Sequence, residues 1–317
     1  MDSQGEWHAF LPYKSAAFTQ TFLRKIYEKQ NIGEPLSNSY KNGYAFCYYI
    51  EHGRCYFEQA AVAPDQIRPV LLFYGATQLL KAFVLTTDPA YPETSRVLAH
   101  GVSTRKKKKT RYDFMQDTVH IQKSGLFSQV LAKVFHLPSM EGAKLRMTEL
   151  LSKIPELKPL FWRINGKTIC YPVFSTDHDG FMVACDILNS LAMTKARFFQ
   201  FLNEKIMPME TEDSTYLYFR LTGSNHRDFL LQDLNGRLYL PAVKTGYLDL
   251  PELLVHFLIL YNLSMIARYE TEWWYTLHFE RSSSDLSFIH AFLALAQIKF
   301  PKLAGQWLQD REQWVSQ

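Results

Sequence analysis

The stretch from Ile67 to Leu85 constrains this chain more than any other. Ile67, Val70, Leu71, Tyr74, Gln78, Lys81 and Leu85 step through it at helical spacing, and Leu72, Leu79, Phe83 and Val84 fill the remaining faces. Pro69 falls in the first turn, where a proline costs no intrahelical hydrogen bond. A helix that is apolar nearly all round belongs at the centre of a bundle. Residues 15–30 predict a second helix, with Phe18, Phe22, Leu23 and Ile26 on one side. Ser37 to Ala61 predicts one or two short helices interrupted at His52-Gly53, and Met140 to Ile154 an amphipathic helix. Beyond Pro251, helices are predicted over 251–269, 284–299 and 302–314, with Pro301 opening the last.

The middle third changes character. Thr168–Phe174, Phe181–Cys185, Tyr216–Phe219 and Arg237–Leu240 carry β-branched and aromatic runs that predict strands, and Asn235-Gly236 is a hairpin turn signal. A helix is expected over about 190–205, and a short strand over Thr118–Gln122. The expected fold is mainly α, of the α+β class: a helical bundle at both ends with a small mixed α/β insert in the middle. Its parts are residues 1–160, a helical region with a basic loop over 96–111; residues 161–250, the insert; and residues 251–317, helices packing back on the bundle.

Charge narrows the function. Of 317 residues, 47% are hydrophobic and 21% charged, which supports a sizeable core and excludes wholesale disorder. Arg105, Lys106, Lys107, Lys108, Lys109 and Arg111 supply six of the 35 basic residues; without them acids outnumber bases by two. The chain is a near-neutral globule with one basic spot, not a uniformly basic nucleic-acid binder. That spot reads either as an anion- or partner-binding loop or as a solvated charge run. Met1 to Trp7 has two acids and no apolar stretch, so no signal peptide is expected. Leu253 to Ala267 is too short for the roughly 20 apolar residues of a membrane span. Cys47, Cys55, Cys170 and Cys185 lie far apart and read as reduced thiols. A cytoplasmic protein with no membrane contact is expected.

The motifs of known catalytic centres are missing. Asn165-Gly166-Lys167-Thr168 matches only the tail of a phosphate-binding loop, and no G-x-G-x-x-G, G-x-S-x-G or H-E-x-x-H occurs. Asp177-His178-Asp179 reads as a polar turn closed by Gly180, because metal ligands converge from different elements. His256, on an apolar helix face, reads as a core histidine. No catalytic residue, metal or cofactor is therefore assigned. The alternative is Arg96 with His100: one helical turn apart, they would clamp a phosphate and move its proton, the minimum for cleaving RNA without a metal. The plainer reading is a loop histidine beside Gly101 and a solvated arginine. Arg268 and Glu270, at the end of a long apolar helix, read either as an interlobe contact or as ligand-binding groups.

Two stretches carry a family resemblance. Leu71-Leu72-Phe73-Tyr74-Gly75-Ala76-Thr77-Gln78-Leu79-Leu80-Lys81-Ala82, followed by Ala99-His100-Gly101, resembles the HEPN helical-bundle superfamily. Together with Leu263-Ser264-Met265-Ile266-Ala267-Arg268-Tyr269-Glu270-Thr271-Glu272-Trp273 it resembles the bacterial YaaC family over nearly the whole chain. The resemblance implies a HEPN-like N-terminal bundle and a link to guanine-nucleotide metabolism, with IMP dehydrogenase as the expected protein partner. The expected function is that of a non-catalytic binding and regulatory protein acting through the loop 96–111, with a nucleotide or RNA as a further ligand class and a homo-oligomer as a compatible state. HEPN ribonucleases place four to six residues between Arg and His; here three separate Arg96 from His100.

Overall fold

The computed structural model describes residues 5–104, 112–177, 179–211, 213–222, 229–281 and 283–317. The basic run from Arg105 to Arg111, and His178, lie outside them. The fold is mainly α with small antiparallel sheets, and it divides into two compact units, residues 1–147 with 256–317, and residues 148–255.

The first unit is built on six long helices: α1 (Ala16–Lys29), α2 (Pro35–Val62), α3 (Arg68–Leu85), α4 (Glu252–Tyr269, whose first turn counts with the second unit), α5 (Thr271–Glu280) and α6 (Asp285–Ser316). Ser15 caps α1 by accepting from the Phe18 N–H. As the sequence pattern requires, α3 is central: Leu72, Phe73, Leu79, Leu80, Phe83 and Val84 are fully buried. Helices from both ends of the chain share this core. The rings of Phe83 and Trp307 stack with centroids 4.0 Å apart, Phe57 and Phe300 lie 5.8 Å apart, and the Tyr13 hydroxyl donates to Glu312 at 2.7 Å.

Several local expectations fail for identifiable reasons. α2 runs unbroken through His52-Gly53. Gly53 is the point where α2 crosses α3: a Cβ there would lie 2.9 Å from Leu79 Cδ2 and 3.3 Å from the Gly75 carbonyl. The glycine serves close approach, not interruption. Pro301 does not start a helix; it lies within α6, where Phe300, Pro301 and Ala304 are buried. Packing of that face outweighs the lost N–H bond. Only Met147–Leu151 of the predicted 140–154 helix is helical. Gly142 turns the chain at φ +78°, and Lys144–Arg146 joins a small antiparallel sheet, β1 (Val102–Thr104), β2 (Thr118–Ile121) and β3 (Lys144–Arg146), in that order. The expected 190–205 helix is two short ones, Asp186–Leu191 and Lys195–Phe201, parted at Ala192 with φ +51°. α5 has no counterpart in the sequence reading.

The second unit is a six-stranded antiparallel sheet of order β6-β7-β5-β4-β9-β8: β4 (Cys170–Ser175), β5 (Phe181–Ala184), β6 (Ile206–Pro208), β7 (Tyr216–Leu221), β8 (Leu231–Gln232) and β9 (Leu238–Pro241). Leu217 and Phe219 alternate inward on β7, as a one-sided sheet demands. They meet Val183, Ile187, Leu191 and Phe198 in a core of the unit's own. Gly236, at φ +82°, supplies the turn before β9. The Lys153 ammonium is buried and donates to the carbonyls of Gly246 at 2.8 Å and Leu248 at 2.7 Å; burial pulls its pKa down to about 8. Among the described residues no helix is long and apolar enough to cross a membrane.

Candidate functional site

α2 and α3 run antiparallel in the first unit. Gly53 meets Leu79, the rings of Tyr56 and Tyr74 stack at 5.9 Å, and the Lys81 ammonium lies 5.7 Å from the Tyr49 ring. Tyr74, Gln78 and Lys81 stand at i, i+4 and i+7, so they form one stripe on α3. All three are half-buried on a helix otherwise apolar, and burial lowers the pKa of Lys81.

His100 reaches this stripe from a pinned loop. The Ala99 carbonyl accepts from Leu126 N–H at 2.7 Å and the His100 carbonyl from Phe127 N–H at 3.1 Å. The two strands of chain cross at Gly101, φ +77°, and Gly125, φ +127°, where a Cβ on Gly125 would sit 2.3 Å from Gly101 N. Only glycine fits there, which explains Gly101 beside the histidine. The His100 ring packs edge-on to Phe73 at 4.8 Å and lies 5.8 Å from Tyr261. Burial, then the charge of Arg268, then that of Lys81 push its pKa below the usual histidine value. Its Nδ1 is shut off from solvent with no hydrogen-bond partner among the described residues.

Arg268 comes from the last turn of α4. Its Nε donates to the Ser264 carbonyl at 3.0 Å, Nη1 to the Tyr74 hydroxyl at 3.1 Å, and Nη2 to Ser264 Oγ at 3.4 Å and Met265 Sδ at 3.3 Å. A guanidinium has five N–H groups, so one Nη1 hydrogen has no acceptor among the described residues. No carboxylate among them pairs with Arg268 or with Lys81. The Tyr74 hydroxyl, already an acceptor, keeps its own hydrogen to give. The charges of Arg268 and Lys81 thus both bear on one half-buried imidazole, and Arg268 is held there on the Tyr74 hydroxyl. Met265, which flanks this arginine, is half-buried.

The other sequence candidates lie elsewhere. Arg96 is solvent-exposed in a single 3₁₀ turn, Ser95–Leu98, and Ala99 after it is extended, so no helical turn aligns Arg96 with His100. Glu270 is the residue before α5, where its carbonyl accepts from Trp274 N–H at 2.9 Å; its carboxylate acts on Tyr112 and forms no ion pair with Arg268. Arg105, Lys106, Lys107, Lys108, Lys109 and Arg111 lie outside the described residues. His256 is fully buried against Phe292 and Phe300. Among the described residues no three His, Cys, Asp or Glu side chains converge as metal ligands. Sequence reasoning missed Tyr74, Gln78 and Lys81 as site residues. The available signal was their polar spacing on an apolar helix.

A cavity of about 340 Å³ in the same unit is lined by Trp7, Phe10, Ile50, Arg54, Phe57 and Gln297, among others. Its Arg54 is already held by Glu51 and Glu58, and both carboxylates line the same cavity. The donor cluster at His100 is the better functional candidate on chemical grounds.

The family model described as YaaC-like Protein matches residues 11–308. No curated protein and no solved structure matches the chain.

Proposed function

The chain belongs to the YaaC-like protein family, and from that premise we propose that it works by binding rather than by catalysis, as a cytoplasmic regulatory protein. The observation that carries this reading is the Arg268 guanidinium, fixed on Tyr74 beside His100 with no carboxylate partner among the described residues. A cation so placed is a binding group. The imidazole next to it is kept neutral by burial and by two cations, which suits it poorly to deliver a proton as general acid. The partner proposed is IMP dehydrogenase, and this rests on family resemblance alone; the basic run Arg105–Arg111 is the proposed partner-contacting segment.

A second reading, a metal-independent endoribonuclease, gains from one feature: the guanidinium whose charge acts on His100 is that of Arg268 instead of Arg96. One preparation separates the two. The full chain is captured from native lysate, its bound proteins and small molecules are identified by mass spectrometry, and the same sample is incubated with single-stranded RNA in EDTA from pH 5.5 to 8.5. The expected result is intact RNA and a retained ligand or IMP dehydrogenase. EDTA-resistant cleavage, abolished by His100→Ala and by Arg268→Ala but not by Arg96→Ala, would put the nuclease in place of the binder.

A further inference from the structure

The polar groups left without partners round His100 share one chemistry. Arg268 has an unused Nη1 hydrogen, Tyr74 a hydroxyl hydrogen, and Lys81 an ammonium that lies 5.7 Å from the Tyr49 ring and pairs with no carboxylate among the described residues. All are donors. His100 Nδ1 joins them when it carries the proton, and Gln78 Oε1 on the same stripe is buried without a donor. A metal cation would meet no carboxylate here. A ligand rich in acceptors and negative charge would meet four donors.

We infer that this cluster is a binding site for a doubly charged tetrahedral oxyanion, the phosphate group of a small phosphomonoester, with the free Nη1–H of Arg268, the Tyr74 hydroxyl, the Lys81 ammonium and the His100 ring as its donors. The inference rests on the binding reading above and names its ligand class. Arginine suits the role because it stays charged at every working pH and its remaining Nη1–H gives a charge-assisted hydrogen bond to a phosphate oxygen. The half-buried setting strengthens each contact relative to open water. Tyr49 and Tyr56 flank the stripe, the first under the Lys81 ammonium and the second stacked on Tyr74.

Proton linkage gives the site a signature. The rings of Phe73 from α3 and Tyr261 from α4 pack against His100, and the charges that act on it are those of Arg268 from α4 and Lys81 from α3. Among the described residues no carboxylate acts on the ring. In the free protein the imidazolium is therefore disfavoured; a bound dianion favours it. Binding takes up a proton, and affinity rises as pH falls. Sulfate tests this cleanly, because a phosphomonoester itself titrates near pH 6 and sulfate does not.

The experiment is calorimetric titration of the full chain with sulfate at pH 8.0 and 6.0 and matched ionic strength. Titrations with inorganic phosphate, ribose 5-phosphate and adenosine 5′-monophosphate separate a free-ion site from a sugar-phosphate or nucleotide site. We expect one site per chain and several-fold tighter sulfate binding at pH 6.0. Arg268→Gln should weaken it at least tenfold, Lys81→Gln should weaken it less, and His100→Gln should remove the pH dependence. Should Arg268→Gln not fold, the His100 imidazole followed by NMR in the wild-type chain decides: saturating sulfate must raise its pKa. Absence of binding by all four probes, binding indifferent to Arg268→Gln, or an imidazole pKa unmoved by sulfate would overturn the inference. In that event a ligand of other chemistry retained from lysate would leave the binding reading standing, whereas RNA cleavage would remove both.

Discussion

His100 is one residue whose environment makes a measurable claim about the whole protein. Its folded pKa lies below the unfolded value of about 6.5, because burial and the charges of Arg268 and Lys81 oppose the imidazolium. The unfolded chain therefore binds more protons through this residue in the acid range, and stability rises with pH there. The contribution is fully present above pH 6.5 and is lost as pH falls through the folded pKa. His278, depressed by burial and by His290, adds a term of the same sign. The urea midpoint should drop between pH 7.5 and 5.5 in the wild type and drop less in His100→Gln. An equal drop in both would mean that the ring is not held neutral by its surroundings. Sequence reading could select His100, since it stands beside Gly101 on a loop. It could not select its arginine. Arg96 is near in sequence, but a 3₁₀ turn and an extended Ala99 direct it to solvent; Arg268 is 168 residues away and arrives through the packing of α4 on α3. Long-range juxtaposition leaves no trace in local spacing.

At the scale of elements, the crossing of α2 and α3 shows what periodicity can and cannot reveal. The burial of Leu72, Leu79 and Phe83 was legible, because an all-round apolar helix has nowhere else to go. The continuity of α2 was not, because a glycine that breaks a helix and a glycine that lets two helices touch look alike in sequence. Pro301 in α6 makes the same point: burial of Phe300 and Ala304 decides the helix, and that burial is tertiary. The crossing yields a coupled prediction. Leu79→Ala should cost about 2–5 kcal/mol by leaving a cavity. Gly53→Ala should cost about 1–3 kcal/mol, since its new Cβ would lie 2.9 Å from Leu79 Cδ2, and the gain of roughly 1 kcal/mol in helix propensity does not offset the clash. In the double variant the added methyl enters the space that Leu79 leaves, so the combined loss should be smaller than the sum of the single ones. Urea unfolding of the four proteins measures this cycle, and strict additivity would show that the two positions do not touch.

For the whole molecule, the division into residues 1–147 with 256–317 and residues 148–255 predicts unequal behaviour of its pieces. The second unit is continuous in sequence. It contains all six strands of its sheet, the two short helices that cover it, and a core of Val183, Ile187, Phe198, Leu217 and Phe219 drawn only from its own residues. The first unit is discontinuous. Its central helix α3 is stacked by Trp307, Phe57 meets Phe300, the Phe57 carbonyl accepts from Gln297 at 2.8 Å, and Tyr13 is tied to Glu312. Cut at residue 147, it loses α4 and α6 and exposes fully buried rings, which its remaining helices cannot cover. A fragment of residues 148–255 should therefore give a dispersed amide spectrum and a cooperative urea transition, because its sheet and short helices share a core of their own. The fragment 1–147 should keep helical circular dichroism but aggregate or melt without cooperativity, as helices do when secondary structure outlasts packing. Adding a separate 256–317 peptide should restore cooperativity to it if the shared core is what holds the unit together. A 1–147 fragment that melts cooperatively by itself would mean that α1 to α3 form a sufficient core, and that the C-terminal helices carrying Arg268 are an addition to the bundle and no part of its centre.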